Sequence, residues 1–306
     1  MPDISVLLPL YNPVDVEPTI QSILNQSHTN FELLVCDDAS NEKPSTLKIK
    51  DKRMKIYKNE KNIGLGGTLN RLLALSNNRS KYFSTIEQDD IYKPDFLSEC
   101  VAFLDNNEEY GLVSGISEFW DGDRVTYRFP GMIFQGYDYP QGEAMFLLNY
   151  REQIKVAQTC MVVRKSIHLQ NKLTFSTKYH SLSVDWDYIM RFSLVSIMKG
   201  INKTFVIQDR RVDRSSLTTK SDLVSKTARK LLLDFFQEFP HIINLTHYKY
   251  ALATQYYREL GNYHFFDRIR LIFSEIMFLD PDKERIIKRI IKELKKSIRI
   301  FSRQQK

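Results

Sequence analysis

Three carboxylates follow one apolar run within four positions of each other. Glu87, Asp89 and Asp90 stand in the stretch IEQDDIYKPDF, directly after an apolar run that ends at Ile86. Carboxylates at alternate positions suit a hard divalent cation such as Mg²⁺ or Mn²⁺, which takes oxygen ligands and completes its shell with phosphate oxygens. A metal held in this way neutralises a diphosphate and stabilises it as a leaving group. A solvated acidic loop is the alternative, and the trio alone does not decide between them.

A second acidic pair has the same placement after a different apolar run. Asp37 and Asp38 follow the run Phe31–Cys36, and Tyr11 and Asn12 come shortly after the first apolar run of the chain. A carboxylate in such a position can accept a hydrogen bond from a nucleobase N–H or from ribose hydroxyls. Because three polar clusters each follow an apolar run, we expect them to converge on one edge of a sheet. That expectation counts against the solvated loop.

Strand and helix patterns alternate along the first half of the chain and must position these clusters. Strands are predicted at Ile4–Leu8, Phe31–Cys36, Lys55–Tyr57, Tyr82–Ile86 and Gly111–Gly115, with helices at Glu17–Gln26, at Gly67–Ser76 and from Pro94 to about Leu104. This alternation predicts an α/β fold with a mainly parallel central sheet flanked by helices. In such sheets, ligands bind outside the carboxyl ends of the strands.

The second half of the chain is less regular. Ser117–Tyr150 is rich in aromatics, Gly and Pro, and we interpret it as an irregular wall or lid over the ligand edge, with a packing role as the alternative. Thr159–Val163 predicts a further strand, and Asp185–Leu194 predicts a helix that opens with two acids. From about residue 221 the pattern is helical, so we expect domains at 1–220 and 221–306, the second a helical C-terminal appendage.

The net charge of +7 is concentrated at the C-terminus. Residues 282–306 contain ten Lys or Arg and three Asp or Glu, so the preceding chain is neutral overall. We see no basic folded face with interleaved aromatics, and therefore expect no nucleic-acid partner. A basic amphipathic helix of this kind is typical of an anionic membrane surface, although its apolar stripe could instead dock onto the protein. That stripe consists of Ile286, Ile287, Ile290, Ile291, Leu294 and Ile298.

Cysteine usage and hydropathy indicate a compartment. Cys36, Cys100 and Cys160 are widely spaced and show no metal-ligand pairing, so we expect buried thiols in a reducing compartment. There is no run of eighteen apolar residues, and the N-terminal residues lack the features of a signal peptide. These features predict a cytoplasmic protein that is peripheral on the inner face of the cell membrane.

Four segments carry a resemblance to a known family. SVLLPLYN, SILNQSHTNFELLVCDDAS, NIGLGGTLNRLL and IEQDDIYKPDFL, in this order, resemble the successive motifs of family 2 glycosyltransferases, and SVDWDYIMRF resembles that family's acidic motif at the head of a helix. The resemblance covers roughly residues 3 to 220. It implies the GT-A fold with a Rossmann-like sheet, and inverting transfer of a sugar from a nucleotide-diphosphate donor.

The resemblance also implies roles for individual positions. Asp185 would be the general base, and the acids after the second strand would contact the base, usually uracil, which favours a UDP-sugar. The metal ligands for Mn²⁺ or Mg²⁺ would be Asp89, Glu87 and Asp213. The nucleotide-sugar site would comprise Pro9, Tyr11, Asn12, Asp37, Asp38, Asn62, Gly64, Gln88, Asp90 and Arg211.

This sequence departs from the family pattern at three positions. Glu87 replaces the first Asp of the metal motif, Val184 stands where Glu usually precedes the base, and Asp213 stands where the family often has His. Because of Glu87 and Val184, a catalytically silent sugar-nucleotide-binding subunit of a polysaccharide synthase is the alternative to an active enzyme. The family and the basic helix together imply a saccharide or lipid-linked saccharide acceptor, as in bacterial O-antigen or capsule assembly.

Overall fold

A mixed β-sheet organises the first two thirds of the chain. The computed structural model describes residues 1–41, 49–129, 138–151, 156–179, 181–211 and 221–304. The strands within these residues are β1 Ile4–Leu10, β2 Phe31–Asp37, β3 Met54–Lys58, β4 Tyr82–Thr85, β5 Asp90–Tyr92, β6 Tyr110–Trp120, β7 Val125–Phe129, β8 Asp138–Tyr139, β9 Met161–Arg164 and β10 Ile197–Asp209.

Helices cover the sheet and make up most of the chain's last third. They are α1 Glu17–Leu24, α2 Gly64–Leu75, α3 Phe96–Asn106, α4 Gly142–Arg151, α5 Lys165–Gln170, α6 Val184–Ser193, α7 Ser221–Glu238, α8 Leu245–Glu259, α9 Phe265–Leu271, α10 Met277–Leu279 and α11 Lys283–Gln304. Short 3₁₀ turns lie at Gln158–Cys160 and Leu260–Asn262, and a π-helical turn at Ile272–Ile276 joins α9 to α10.

The strand order is β3-β2-β1-β4-β9-β6-β10-β5, with β7 paired to β6 and β8 paired to β10. The ladders β1–β2, β1–β4, β2–β3 and β6–β10 are parallel. Because β9 is antiparallel to both β4 and β6, these two strands run in the same direction. The carboxyl ends of β1, β2, β4, β6 and β10 therefore meet at one edge of the sheet. The predicted α/β fold is confirmed.

The core lies on both faces of the sheet. β1 and β2 are buried along nearly their whole length, as expected for parallel strands that are covered by helices on both sides. Cys36, Cys100 and Cys160 are free thiols with no exposed surface, so the expectation of buried cysteines is confirmed. Burial raises the pKa of Cys36 to about 11, which keeps that thiol neutral near pH 7.

Two parts of the sheet differ from the prediction. Ser117–Tyr150 was expected to be irregular, but its described residues continue β6 and form β7, β8 and most of α4. Aromatic and β-branched residues such as those of β7 fit a pleated surface well, which is why this expectation was wrong. β10 was not predicted at all: Lys, Gly and Asn interrupt its apolar pattern, and register shifts interrupt its pairing with β6.

The chain forms two compact units. One comprises Met1–Met145 with Ile154–Ser216, and the other comprises Phe146–Gln153 with Leu217–Lys306. The second unit has its own apolar cluster, in which Ile286 of α11 packs against Leu260, Ile272 and Ile276. None of the helices in the described ranges combines the length and the hydropathy that crossing a bilayer requires.

Candidate active site

The acidic loop turns sharply between β4 and β5. The backbone N–H of Asp90 donates to the Glu87 carbonyl oxygen at 3.2 Å, which closes the turn. Asp90 is fully buried, and neither of its carboxyl oxygens makes a well-formed hydrogen bond within the described residues, although the nearby Thr159 hydroxyl lowers its pKa slightly. Burial raises the pKa of Asp90 well above its ordinary value, and the charges of Glu87 and Asp89 raise it further. The loop therefore crowds three acidic side chains together, and the innermost of them, Asp90, is held away from solvent.

Arg210 is a cation that acts on Asp90 in this loop. It follows β10 directly, and its charge lowers the pKa of Asp90 against the effects of burial and the neighbouring acids. Its guanidinium lies 5.0 Å from the centre of the Phe119 ring and donates a hydrogen bond to Gln208. Sequence reasoning missed Arg210 because β10 was not recognised. Its position directly after the last residue of a sheet strand is the signal that would have found it.

Arg211, which the sequence suggested as a phosphate contact, is paired within the protein. Its Nε lies 3.0 Å from each carboxylate oxygen of Asp209, and its Nη2 lies 2.6 Å from Asp209 Oδ2. Its guanidinium also lies 5.6 Å from the centre of the Trp120 ring. The charge of Arg211 is therefore largely balanced by Asp209.

Asp38 binds the start of α2. Its Oδ1 accepts hydrogen bonds from Asn59 Nδ2 at 2.6 Å and from the Ile63 N–H at 2.9 Å, and its Oδ2 accepts one from the Gly64 N–H at 2.8 Å. A carboxylate at a helix N-terminus satisfies amides that have no partner within the helix and interacts favourably with the helix dipole. Asp38 thus fixes the position of the loop that contains Asn62, whose own Oδ1 accepts from Gly64 N–H at 3.0 Å.

The loops after β1 and β2 are also joined to each other. Asn12 adopts a left-handed backbone with φ of 46°, and its N–H donates to Ser40 Oγ at 2.8 Å. The N–H of Asn41 donates in turn to Asn12 Oδ1 at 2.9 Å. Asp37 completes the link, because its Oδ1 accepts from the Ser40 N–H at 2.9 Å. Asn12 and Asp37, predicted separately, lie in one network.

Gln88 joins the acidic loop to the residues after β1. Its side-chain Oε1 accepts from the Tyr11 N–H at 2.8 Å, and its Nε2 donates to the Tyr11 carbonyl at 3.1 Å. Thr19 of α1 holds the same turn, since its hydroxyl donates to the Gln88 carbonyl at 3.0 Å. The exposed Tyr11 ring and the half-buried Pro9 stand beside this link. The Gln88 amide group is therefore engaged in connecting two loops.

α6 begins next to α2. The Leu65 N–H donates to Ser181 Oγ at 2.8 Å, four residues before Asp185. A Cβ atom at Gly66 would lie 2.1 Å from the Ser176 carbonyl oxygen, so only glycine fits where α2 crosses the segment leading to α6. Hydrogen bonds thus connect the end of β2 to the start of α2, and the start of α2 to Ser181, three residues before α6 begins.

The two acids at the start of α6 differ in their environments. Asp185 is half-buried in the first turn of the helix. Asp187 is buried, and both of its carboxylate oxygens lie 3.0 Å from Arg191 Nε. Ser183, the residue before the helix, has a left-handed backbone with φ of 55°. Asp187 therefore stabilises the helix, whereas Asp185 lies on its more accessible side.

The carboxyl oxygens of the acidic loop suit a divalent metal ion whose remaining coordination positions are filled by a bound phosphate ligand. Within the described ranges, no three His, Cys, Asp or Glu side chains are close enough to hold an ion by themselves. Asp213, a predicted ligand, lies outside the described residues. The unpaired buried carboxyl of Asp90 beside Glu87 and Asp89 is the feature that a cation would satisfy. Oxygen ligands of this number suit Mg²⁺ or Mn²⁺ when phosphate oxygens complete the shell.

Comparisons with known proteins bear on the family of this chain. The profile of Glycosyl transferase family 2 matches residues 5–169. An uncharacterised glycosyltransferase of Haemophilus influenzae is 28% identical over 199 residues, which cover 58% of this chain and 56% of that protein. The Escherichia coli UDP-Glc:alpha-D-GlcNAc-diphosphoundecaprenol beta-1,3-glucosyltransferase WfgD is 25% identical over 238 residues, covering 76% of this chain and 87% of that protein.

A structural comparison identifies the same fold. The crystal structure of S. aureus TarS 1–349 in complex with UDP-GlcNAc superposes with a TM-score of 0.63 at 20% identity, covering 85% of this chain and 73% of that chain. The present chain spans little more than half the length of the Haemophilus relative. The family match includes the strand ends and the acidic loop described above. The chain belongs to glycosyl transferase family 2 and contains a glycosyltransferase domain with the GT-A fold.

Proposed function

We propose that this chain is an inverting glycosyltransferase that moves a sugar from a nucleotide-diphosphate donor, with a UDP-sugar favoured, to an acceptor hydroxyl. The observation that carries the proposal is the hydrogen-bonded connection of Asp38 to the start of α2 and of α2 to Ser181, just before Asp185. This connection supports a nucleoside site and a base that share one edge of the sheet with the acidic loop.

In the proposed reaction, the Asp185 carboxylate removes a proton from the acceptor hydroxyl, whose oxygen then attacks the anomeric carbon opposite the leaving diphosphate. One displacement inverts the anomeric configuration, so an α-linked donor gives a β-linked product. Arg210 provides fixed positive charge near the developing negative charge. A divalent ion, which enzymes of this fold generally use, would be held by Asp89 with Glu87 and would neutralise the diphosphate.

The donor and the acceptor class are inferred from relatives. WfgD is named for a UDP-glucose donor and a diphosphoundecaprenol-linked acceptor, and the TarS crystal contains UDP-GlcNAc. A UDP-sugar donor and a saccharide acceptor, lipid-linked as in bacterial surface polysaccharide assembly, are the corresponding proposals for this chain. Asp37 and Asp38 would lie beside the uracil, and Tyr11, Asn12, Asn62 and Gly64 around the nucleoside.

We also propose that the second unit binds an anionic membrane surface from the cytoplasmic side. Ile286 and Ile290 of α11 pack within their own unit, so part of the predicted stripe is docked. Ile287 and Ile291 on the same helix are exposed, and Lys288 and Lys292 are exposed next to them. Exposed apolar residues flanked by lysines favour an interfacial position on anionic lipid.

One assay separates an active enzyme from a silent binding subunit. The full chain is incubated with Mn²⁺, a panel of UDP-sugars and short-chain lipid-diphosphate saccharides. UDP release and product formation are measured, and donor binding is measured in parallel by calorimetry. We expect turnover with at least one donor, inversion at the anomeric carbon and loss of turnover with EDTA. Donor binding without turnover across the panel would indicate the silent subunit, and the absence of any donor binding would contradict both.

A further inference from the structure

A row of side chains crosses the sheet from the acidic loop to an exposed aromatic surface. Asp90 of β5 is paired with Gln208 of β10, Gln208 with Phe119 of β6, and Phe119 with Tyr127 of β7. Directly paired residues project to the same face of a sheet, so these four side chains share one face. With strands about 4.8 Å apart, the row extends about 14 Å from the acid to Tyr127.

Exposure increases along this row. Asp90 is fully buried, Gln208 is nearly so, Phe119 is partly exposed and Tyr127 is 48% exposed. Gln208 is held in place because its Nε2 donates to Ser117 Oγ at 2.8 Å. The row therefore begins as a polar, fixed floor beside the acids and opens into an accessible aromatic surface.

The aromatic part of the row is preorganised. The rings of Phe119 and Tyr127 have centroids 5.5 Å apart, and Phe129 stacks at 6.4 Å from Phe119 with an interplanar angle of 23°. Arg210 lies over Phe119, so a cation and hydrogen-bond donor borders the rings on the side of the acidic loop. The opposite face of the β6–β7 hairpin is charged and not aromatic at this point, because Arg128 there forms an ion pair with Glu118 at 2.8 Å.

We propose that the row formed by Gln208, Phe119 and Tyr127 is the binding site for the acceptor saccharide. The apolar face of a pyranose presents C–H groups with partial positive charge, which the negative face of an aromatic ring attracts. Arg210 supplies a polar group that can orient such a ligand, and Gln208, which is bonded to both Ser117 and Arg210, holds that group in place. The proposed nucleotide residues follow β1 and β2, and the row lies beyond β4 in the strand order, so the two ligands would approach the acids from different sides.

This inference rests on the proposed transferase function, and binding measurements test the two separately. The probes are methyl α-glucoside, methyl α-galactoside and methyl N-acetyl-α-glucosaminide. Their binding is followed by saturation-transfer NMR with UDP and the diamagnetic ion Mg²⁺ present, and UDP binding is measured by calorimetry. Tyr127→Ala removes the most exposed ring, and Tyr127→Phe keeps the ring without its hydroxyl. Arg128→Gln is the control on the opposite face of the hairpin.

We expect Tyr127→Ala to weaken saccharide binding about tenfold, which corresponds to about 1.4 kcal/mol. Tyr127→Phe and Arg128→Gln should bind saccharide like the wild type, and UDP affinity should be the same in all four proteins. If the wild type binds UDP but no saccharide, or if Tyr127→Ala weakens UDP as much as saccharide, the acceptor assignment is wrong and the transferase proposal survives. A wild type that binds neither probe overturns both.

Discussion

The Asp38 carboxylate accepts a hydrogen bond from the backbone N–H of Gly64 at 2.8 Å and so joins the end of β2 to the start of α2. The family resemblance assigns Asp38 to the nucleobase, and the structure gives it this further structural contact. A carboxylate has about four acceptor positions, and hydrogen bonds from the described residues use three of those on Asp38. A nucleoside bound at Asp38 would therefore contact a residue that also holds the start of α2 in place.

Asp38→Asn should destabilise the first unit. An amide can replace only part of the carboxylate's acceptor capacity and places an N–H₂ group against backbone N–H donors, at a cost of about 1–3 kcal/mol. Trp120 and Trp186, the only tryptophans of the chain, both lie in the first unit, so their fluorescence during urea unfolding reports on it. Asp123→Asn, at an exposed position in the β6–β7 turn, is the control. Equal midpoints for the two variants would contradict a structural role for Asp38.

Asp185→Asn should abolish transfer and leave UDP affinity nearly unchanged. The asparagine side chain has nearly the same shape as aspartate but has no carboxylate to act as the base. Asp187→Asn is the comparison variant, because it weakens the buried ion pair with Arg191. It should lower the free energy of unfolding and have a smaller effect on the rate of transfer. Steady-state kinetics, UDP calorimetry and urea unfolding on both variants separate the two effects. A strong loss of UDP binding in Asp185→Asn would remove its assignment as the base.

Asp89→Ala should weaken UDP binding only when a metal is present. The variant removes a ligand that contributes through the ion, so wild type and variant should bind UDP alike in EDTA and differ in Mn²⁺. Calorimetric titrations under both conditions measure this, with the exposed Glu108→Ala as control. The assignment fails if Mn²⁺ strengthens UDP binding equally in Asp89→Ala and the wild type.

The buried His168 should make the stability of the first unit depend on pH in the acidic range. Burial lowers its pKa from the ordinary 6.5 to about 4, and the nearby Lys165 charge adds to the effect. Between those pH values the unfolded chain binds a proton that the folded chain does not, so stability should fall as pH drops through this window. The total is about 3 kcal/mol for a shift of this size.

The matching variant is His168→Phe, which keeps a ring against Phe83 and Phe175 but cannot bind a proton. Its urea midpoint, followed by tryptophan fluorescence, should change less between pH 7 and pH 4.5 than that of the wild type. The exposed His241→Gln should behave like the wild type. Identical pH dependence in all three proteins would show that His168 does not contribute.

Membrane binding should depend on exposed apolar residues of the second unit. Phe266 and Phe278 are 83% and 78% exposed, unusually high values for phenylalanine, and Ile287 is exposed on α11. Phe278→Ser combined with Ile287→Ser should reduce co-sedimentation with anionic vesicles and leave the packed Ile286 intact. Leu169→Ser, at an exposed position in the first unit, is the control. Binding that is insensitive to these changes and to salt would contradict the proposal.

The order of apolar runs, turn residues and acids determined most of the fold in advance. β1, β2, β4 and α2 were predicted within a few residues, because runs of apolar residues at strand or helix spacing must be buried. The same local information located the acids at strand ends. It also indicated the helical C-terminal part and the amphipathic character of α11, since helical periodicity is a property of the chain itself.

Tertiary structure alone decided which groups meet. Arg210 acts on Asp90, and Ser181 binds the start of α2, only because distant strands and helices are packed together. Arg211, which the sequence suggested as a phosphate contact, pairs with Asp209 two residues away, and this pairing depends on the path of the backbone after β10. Side-chain partners depend on three-dimensional proximity, which local periodicity does not encode. The row that runs from Gln208 through Phe119 to Tyr127 is therefore evident only from the register of the strands.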